Sequence, residues 1–196
     1  MLRFFFLEKS IITTLLIMNK KNIDLVILAG GRGTRIKKYL KGYPKPMLKF
    51  NKKYFLTYIL NLTSKYDFNK IYILTGYRSK IIFKNFHNKS FNFIKVICVK
   101  EKNEMGTAGA LSLLKGRVND FVLLNGDTLF DIDYLRLINS LEKNKIGIVS
   151  LIKNKSQNST KLNTLSLHKN IIKSNNGKFM NGGVYFFKKK ILKIIP

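Results

Sequence analysis

The chain has little acid. Its 196 residues hold 10 Asp and Glu against 37 Lys and Arg, a formal charge of +27, and no acid follows Glu142. That balance suits an anionic partner: a nucleotide, a nucleic acid or an acidic membrane surface. Lys, Asn, Ile and Phe are all abundant, so an A+T-rich coding sequence accounts for much of the charge equally well. Cysteine is nearly absent. Cys98 alone excludes an internal disulfide, and its apolar surroundings mark it as a buried small hydrophobe rather than a nucleophile. With two histidines beside it, a zinc cluster is not expected. Long apolar runs are missing too. Residues 4–7 resemble the start of a signal peptide, but Glu8 and Lys9 interrupt them and no small-residue cleavage site follows. Residues 11–18 are too few to span a bilayer. We therefore expect a cytoplasmic chain without a membrane span. Residues 1–22 read as an extension outside the core, with Met18 as an alternative initiator.

The rest of the chain can fill one domain with a sizeable core, over residues 23–196. Residues 23–28 read as a short strand buried on both faces. Further strands are expected at 71–75, 94–99, 121–124 and 146–152, and helices at 55–62, 79–86, 107–114 and 132–141. Residues 35–40 form at most two helical turns, stopped by Gly42 and Pro44. Near the end, 161–167 and 183–187 suggest strands, 175–177 a turn, and 188–195 a basic helix. No internal repeat is visible. Strands alternating with helices imply a three-layer, mostly parallel, Rossmann-like sheet with helices on both faces. Ligands of such sheets bind beyond the carboxyl ends of the strands. Gly30 to Arg35 and Asp127 both lie just past such ends.

Two common phosphate motifs are not present. Ile36 occupies the place of the third glycine of the dinucleotide fingerprint, and there is no GxxxxGK[ST] run. What is present is Ala29-Gly30-Gly31-Arg32-Gly33-Thr34-Arg35, a Gly-rich turn between a strand and a helical turn. Backbone amides there can approach an anion closely, and Arg32, Arg35 and Lys45 add fixed positive charge.

Downstream come Pro44-Lys45-Pro46-Met47, Gly106-Thr107-Ala108-Gly109, Asn125-Gly126-Asp127 and Asn181-Gly182-Gly183. In order and spacing this set resembles the sugar-1-phosphate nucleotidyltransferases, above all the D-glycero-α-D-manno-heptose 1-phosphate guanylyltransferases, with the mannose-1-phosphate enzymes close behind. The resemblance implies the nucleotide-diphospho-sugar transferase fold. It also implies transfer of a nucleoside monophosphate from a triphosphate, GTP by preference, to a sugar 1-phosphate for surface polysaccharide such as lipopolysaccharide or capsule. By resemblance, Ala29, Gly30, Gly31, Gly33, Thr34 and Arg35 hold the triphosphate, with Gly106 and Thr107 at the nucleotide. Glu101, just before that segment, is either a solvated surface carboxylate or, from donor–acceptor complementarity, the group expected to accept the two donors of guanine. Lys45, flanked by prolines, bridges the α-phosphate and the sugar phosphate, and Asp127 is the Mg²⁺ ligand. Arg35, Lys45 and Asp127 are the catalytic set; Gly126, Asn181 and Gly182 face the sugar. Asp131 is expected to cap the helix that follows.

The C-terminal part departs from the family. No carboxylate stands where its sugar-binding Glu is usual; His168 to Lys173 occupy that place. A second metal-binding aspartate, expected some tens of residues beyond Pro196, is not in this chain. The domain reads as truncated there, leaving residues 183–195 short of packing neighbours and inviting association into a homo-oligomer. Two other readings stand beside the enzyme: a nucleotide-binding protein of the same fold without turnover, and a basic nucleic-acid-binding protein. The second lacks an interleaved basic–aromatic motif.

Overall fold

The computed structural model describes residues 22–153, 164–168, 171–175 and 177–195. The expected N-terminal extension lies outside them except for Asn22, as do residues 161–163 of the strand expected there and Asn176 of the expected turn. The strands are β1 (Ile23–Ala29), β2 (Lys49–Phe50), β3 (Lys53–Tyr54), β4 (Ile71–Thr75), β5 (Ser90–Phe91), β6 (Ile94–Lys100), β7 (Asp120–Asn125), β8 (Gly147–Lys153), β9 (Leu165–His168), β10 (Ile171–Asn175) and β11 (Phe179–Phe187). The helices are α1 (Lys37–Leu40), α2 (Phe55–Thr63), α3 (Ser79–Phe86), α4 (Gly106–Ser112) and α5 (Tyr134–Asn139).

β1 is the centre. It lies between β4 and β7 and runs parallel to both, and β4 is parallel to β6. Leu25 and Ile27 pack into one hydrophobic cluster and Val26 into the other, all three fully buried. A strand covered on both faces has no polar face to alternate with, which is why it reads as a continuous apolar run. Leu56, Ile59 and Leu60 of α2 recur at helical spacing and, with Ile82 and Phe86 of α3 and Tyr134 and Ile138 of α5, cover one face. Ala110 and Leu111 of α4, with Leu192, cover the other. The expected three layers are present, around a mixed sheet that is parallel in its central four strands.

One residue breaks the apolar run. Asp24 is buried, accepting from the Asn69 side-chain amide and the Asn119 backbone N–H, each at 2.8 Å. A buried carboxylate is tolerated because both oxygens are satisfied. It pins the loops before β4 and β7 to the start of β1.

The order β7-β1-β4-β6 contains one reversal. After β1 the chain adds β4 and β6 on one side, then returns to lay β7 on the other. At such a switch the loops leaving β1 and β7 diverge and open a crevice at the carboxyl edge.

Beyond β7 the sheet becomes antiparallel. β11 pairs with β7 along one edge and with β8 along the other, and touches β9 through Phe179 and Leu165. β10 pairs with β9. Here several expectations are corrected. The last strand starts at Phe179, not at Gly183, and the register slips within it between Asn181 and Tyr185. Residues 183–195 do not lack neighbours: Val184, Phe186 and Leu192 are buried, and β11 is paired on both edges. The basic segment after it is a 3₁₀ turn, Lys189–Lys193. Helix α5 starts later than expected, and its cap is Asp133, not Asp131. Asp133 accepts from the N–H groups of Leu135 and Arg136 at 2.9 and 3.1 Å. Asp131 instead meets Lys65, at 3.1 Å. β5 and β10 have no apolar alternation of their own and were not expected.

Candidate active site

The glycine loop leaves the end of β1. Gly33 has φ +64, and a Cβ there would sit 2.9 Å from the Leu40 side chain. Only a glycine turns left-handed at that point without strain, and the turn sends the chain into the 3₁₀ segment Thr34–Ile36 and then α1. The loop is fastened to the end of β4, where the Tyr77 N–H donates to the Gly30 carbonyl at 3.0 Å.

Gly126 does the corresponding job on the other side of β1. Its N–H donates to the Leu28 carbonyl at 2.8 Å, and a Cβ would collide with that same oxygen. The missing side chain lets the two loops of the switch point lie backbone against backbone, which sets Asp127 beside the glycine loop.

Lys45 arrives from a third direction. Pro44 is extended, and Pro46 and Met47 are buried, so the short 3₁₀ turn Lys45–Met47 is anchored on its inner side. The lysine is left to project. Its Nζ donates to Asp127 Oδ2 at 2.6 Å, across 82 residues of chain. The other carboxylate oxygen, Oδ1, accepts from Thr128 Oγ1 at 3.2 Å.

Two adjoining clefts open around this pair. The larger, about 520 Å³, is lined by Gly30, Arg32, Glu101, Glu104, Gly106 and Thr107, among others. The smaller, about 420 Å³, is lined by Ala29, Arg35, Lys45 and Pro46. Gly31, Gly33, Thr34 and Asp127 belong to both. All the residues expected at the nucleotide therefore meet in one continuous depression at the switch point.

Comparison with known proteins bears on this arrangement. Residues 24–196 match the family described as Nucleotidyl transferase. The chain belongs to that family. It is 33% identical over 176 residues to D-glycero-alpha-D-manno-heptose 1-phosphate guanylyltransferase of Campylobacter jejuni, a match covering 86% of this chain and 77% of that one. It is 30% identical over 182 residues to the bifunctional protein GlmU of Methanococcus aeolicus, spanning 88% of this chain and 42% of that one. Among solved structures, HddC from Yersinia pseudotuberculosis complexed with GMP-PN superposes with a TM-score of 0.71 at 25% identity, covering 89% of this chain and 80% of that one.

In this nucleotidyl transferase the Asn181 segment stands apart from the clefts. Asn181 lines a separate, largely apolar groove of about 860 Å³ with Leu151, Leu165 and Tyr185. Its Oδ1 accepts from the Gly183 N–H at 2.8 Å, and its Nδ2 donates to the Tyr185 hydroxyl at 2.6 Å. Gly182 is buried against Phe130 and Ser150. The link to the clefts is Asn125, which lines the larger cleft and also lies against Gly183. Asn125 belongs to the Asn125-Gly126-Asp127 motif, but its side chain was given no role from sequence.

Glu101 lines the larger cleft, its Oε2 accepting from the Met105 N–H at 3.4 Å and its Oε1 against Gly30. Glu104 was not singled out, yet it forms an ion pair with Arg32. Opposite charges on two loops at the same sheet edge were the available signal. Among the described residues no three His, Cys, Asp or Glu cluster as a metal site, and no helix is long and apolar enough to cross a membrane. Asp127 still suits a hard divalent cation. It is a carboxylate, 41% exposed in its side chain, with one oxygen held only by a hydroxyl, and such ions are often bound by one carboxylate plus substrate phosphates. Cys98 lies outside the site; burial pushes its thiol up to about 12, the state of an inert core residue.

Proposed function

We propose that the chain transfers a nucleoside monophosphate from a nucleoside triphosphate to a sugar 1-phosphate, giving a nucleotide sugar and pyrophosphate. GTP is the donor, and D-glycero-α-D-manno-heptose 1-phosphate, or mannose 1-phosphate, the acceptor. The names of the relatives support this choice, as does the GMP-PN complex of a structural neighbour. The product serves surface polysaccharide synthesis, and the enzyme works in the cytoplasm.

One observation carries the reading: Lys45 and Asp127 meet at 2.6 Å beside the glycine loop. In the transfer, an oxygen of the sugar phosphate attacks the α-phosphorus, and the bond to pyrophosphate breaks. Two anions must come together while charge grows on the leaving group, so positioning and fixed positive charge supply most of the rate. Backbone amides from Gly30 to Thr34 hold the triphosphate, and the Arg35 guanidinium pairs with its oxygens. Lys45 bridges the α-phosphate and the sugar phosphate. Gly106 and Thr107 face the nucleoside, and Glu101 accepts from guanine. Asp127 holds Mg²⁺, which when bound neutralises phosphate charge. Gly126 sets Asp127 in place, and Asn181 is assigned to the sugar side; Gly182, buried against Phe130 and Ser150, supports Asn181 rather than facing the sugar as expected.

A panel of four nucleoside triphosphates against several sugar 1-phosphates with magnesium, read as pyrophosphate release, tests this. Release with GTP and heptose 1-phosphate is expected, and an Asp127→Asn variant should lose most of it. A second reading, nucleotide binding without turnover, is favoured by the lack of any acid after Glu142. GTP binding with no pyrophosphate from any pair would establish that reading and overturn the first.

A further inference from the structure

Acid is scarce in this chain, yet three of its ten carboxylates, Glu101, Glu104 and Asp127, line the larger cleft. Among the described residues lining it, Arg32 is the one cation. Arg32 comes from the loop after β1 and Glu104 from the segment between β6 and α4. Their ion pair joins the two loops across the cleft. The side chains are 62% and 68% exposed, so water and salt screen the pair and make it easy to break. A triphosphate carries several charges and offers the paired oxygens that a guanidinium binds best.

We propose that Arg32 is a further triphosphate-binding residue and that Glu104 is its built-in competitor. Without ligand the Glu104 carboxylate takes the place of a phosphate on the guanidinium; an entering triphosphate displaces it. The same logic holds next door, where Asp127 occupies Lys45. In both pairs a carboxylate keeps a cation aimed into the cleft, at the cost of competing with the ligand. The inference rests on the nucleotide reading of the cleft and adds a residue pair to it.

The test is a double-mutant cycle on the full chain, with equilibrium binding of GTP, UTP and inorganic tripolyphosphate as the readout. Glu104→Gln should tighten all three about threefold, the scale of releasing an exposed ion pair. Arg32→Ala should weaken all three roughly tenfold, as expected for a lost charge-assisted bond, and Arg32→Lys should restore part of that. In the Arg32→Ala background, Glu104→Gln should have no effect, because the competitor has lost what it competes for. In turnover, Glu104→Gln should lower KM for GTP and leave kcat unchanged. Asp67→Asn, at an exposed residue that lines neither cleft nor the Asn181 groove, controls for net charge, and matched melting curves control for folding. Persistence of the Glu104→Gln gain without Arg32 would show plain repulsion and overturn the proposal. So would a gain confined to GTP, which would place Glu104 at the base. If the unsubstituted chain binds none of the three ligands, the nucleotide reading itself falls. Binding with an additive cycle overturns the Arg32–Glu104 inference alone.

Discussion

The two halves of the sheet are held to different standards. Around β1 and β4, Leu25, Val26, Ile27, Ile73 and Leu74 are fully buried, because helices close both faces. In β8 and β10, Ile152, Ile171 and Ile172 remain 37%, 46% and 42% exposed. The parallel half carries the glycine loop, Lys45 and Asp127; the antiparallel half contributes Asn181 and an apolar groove. Charge divides the same way, since every acid lies at or before Glu142. A transfer site tolerates little misplacement of its phosphate-holding groups. The glycine loop, Lys45 and Asp127 accordingly stand where the strands are packed on both sides, and the proposed acceptor side stands in the thinner half.

This contrast can be broken at several points. The largest effect is expected for Asp127→Asn: turnover should fall about a thousandfold, roughly 4 kcal/mol in the barrier, with the melting curve unchanged. If Asn181→Ala cost as much in pyrophosphate release, the two halves would share the chemistry equally. Next comes packing. Leu25→Ala should destabilise the chain by about 3 kcal/mol in urea titrations, and Ile172→Ala by less than about 0.5 kcal/mol. Equal losses would mean that the outer strands are as tightly closed as the centre. Asn181→Ala itself should raise KM for the sugar phosphate about tenfold and leave GTP binding intact, the cost of one lost polar contact. The smallest effect is a matter of pH. Burial lifts Cys98 from its usual 9.0 to about 12. A group raised on folding adds stability below its unfolded value and loses it as pH climbs toward the folded one. Stability should thus fall between about pH 9 and 12 and be independent of this group's titration near neutrality, where the thiol holds its proton folded or unfolded. Cys98→Ala should flatten that slope in melts taken across the range.

Much of the parallel half was legible in the sequence. The run at β1, the helical spacing of Leu56, Ile59 and Leu60, and the glycines after β1 follow from burial on two faces, burial on one stripe and a left-handed turn. These are local demands, and local spacing shows them. The antiparallel half was less legible. Half-exposed strands such as β10 have weak alternation, and β11 runs through Asn181-Gly182-Gly183, which resembles a turn when read alone. Asp133 took the cap from Asp131 because the helix began two residues later than its apolar pattern suggested. A cap is decided by the first N–H groups left free, not by the first apolar residue.

Residue types and their spacing were enough to set the glycine loop and the strands that alternate with helices, and to single out Lys45 and Asp127 as candidates. Their meeting was another matter. Lys45 and Asp127 are 82 residues apart, and Arg32 and Glu104 are 72 apart. Each pair forms because the strand order reverses beside β1 and brings separate loops to one edge. Strand order and register are long-range choices, made by which faces can be buried together. The same choices turned Asn181 into its own groove and placed Asn125 between the two sites.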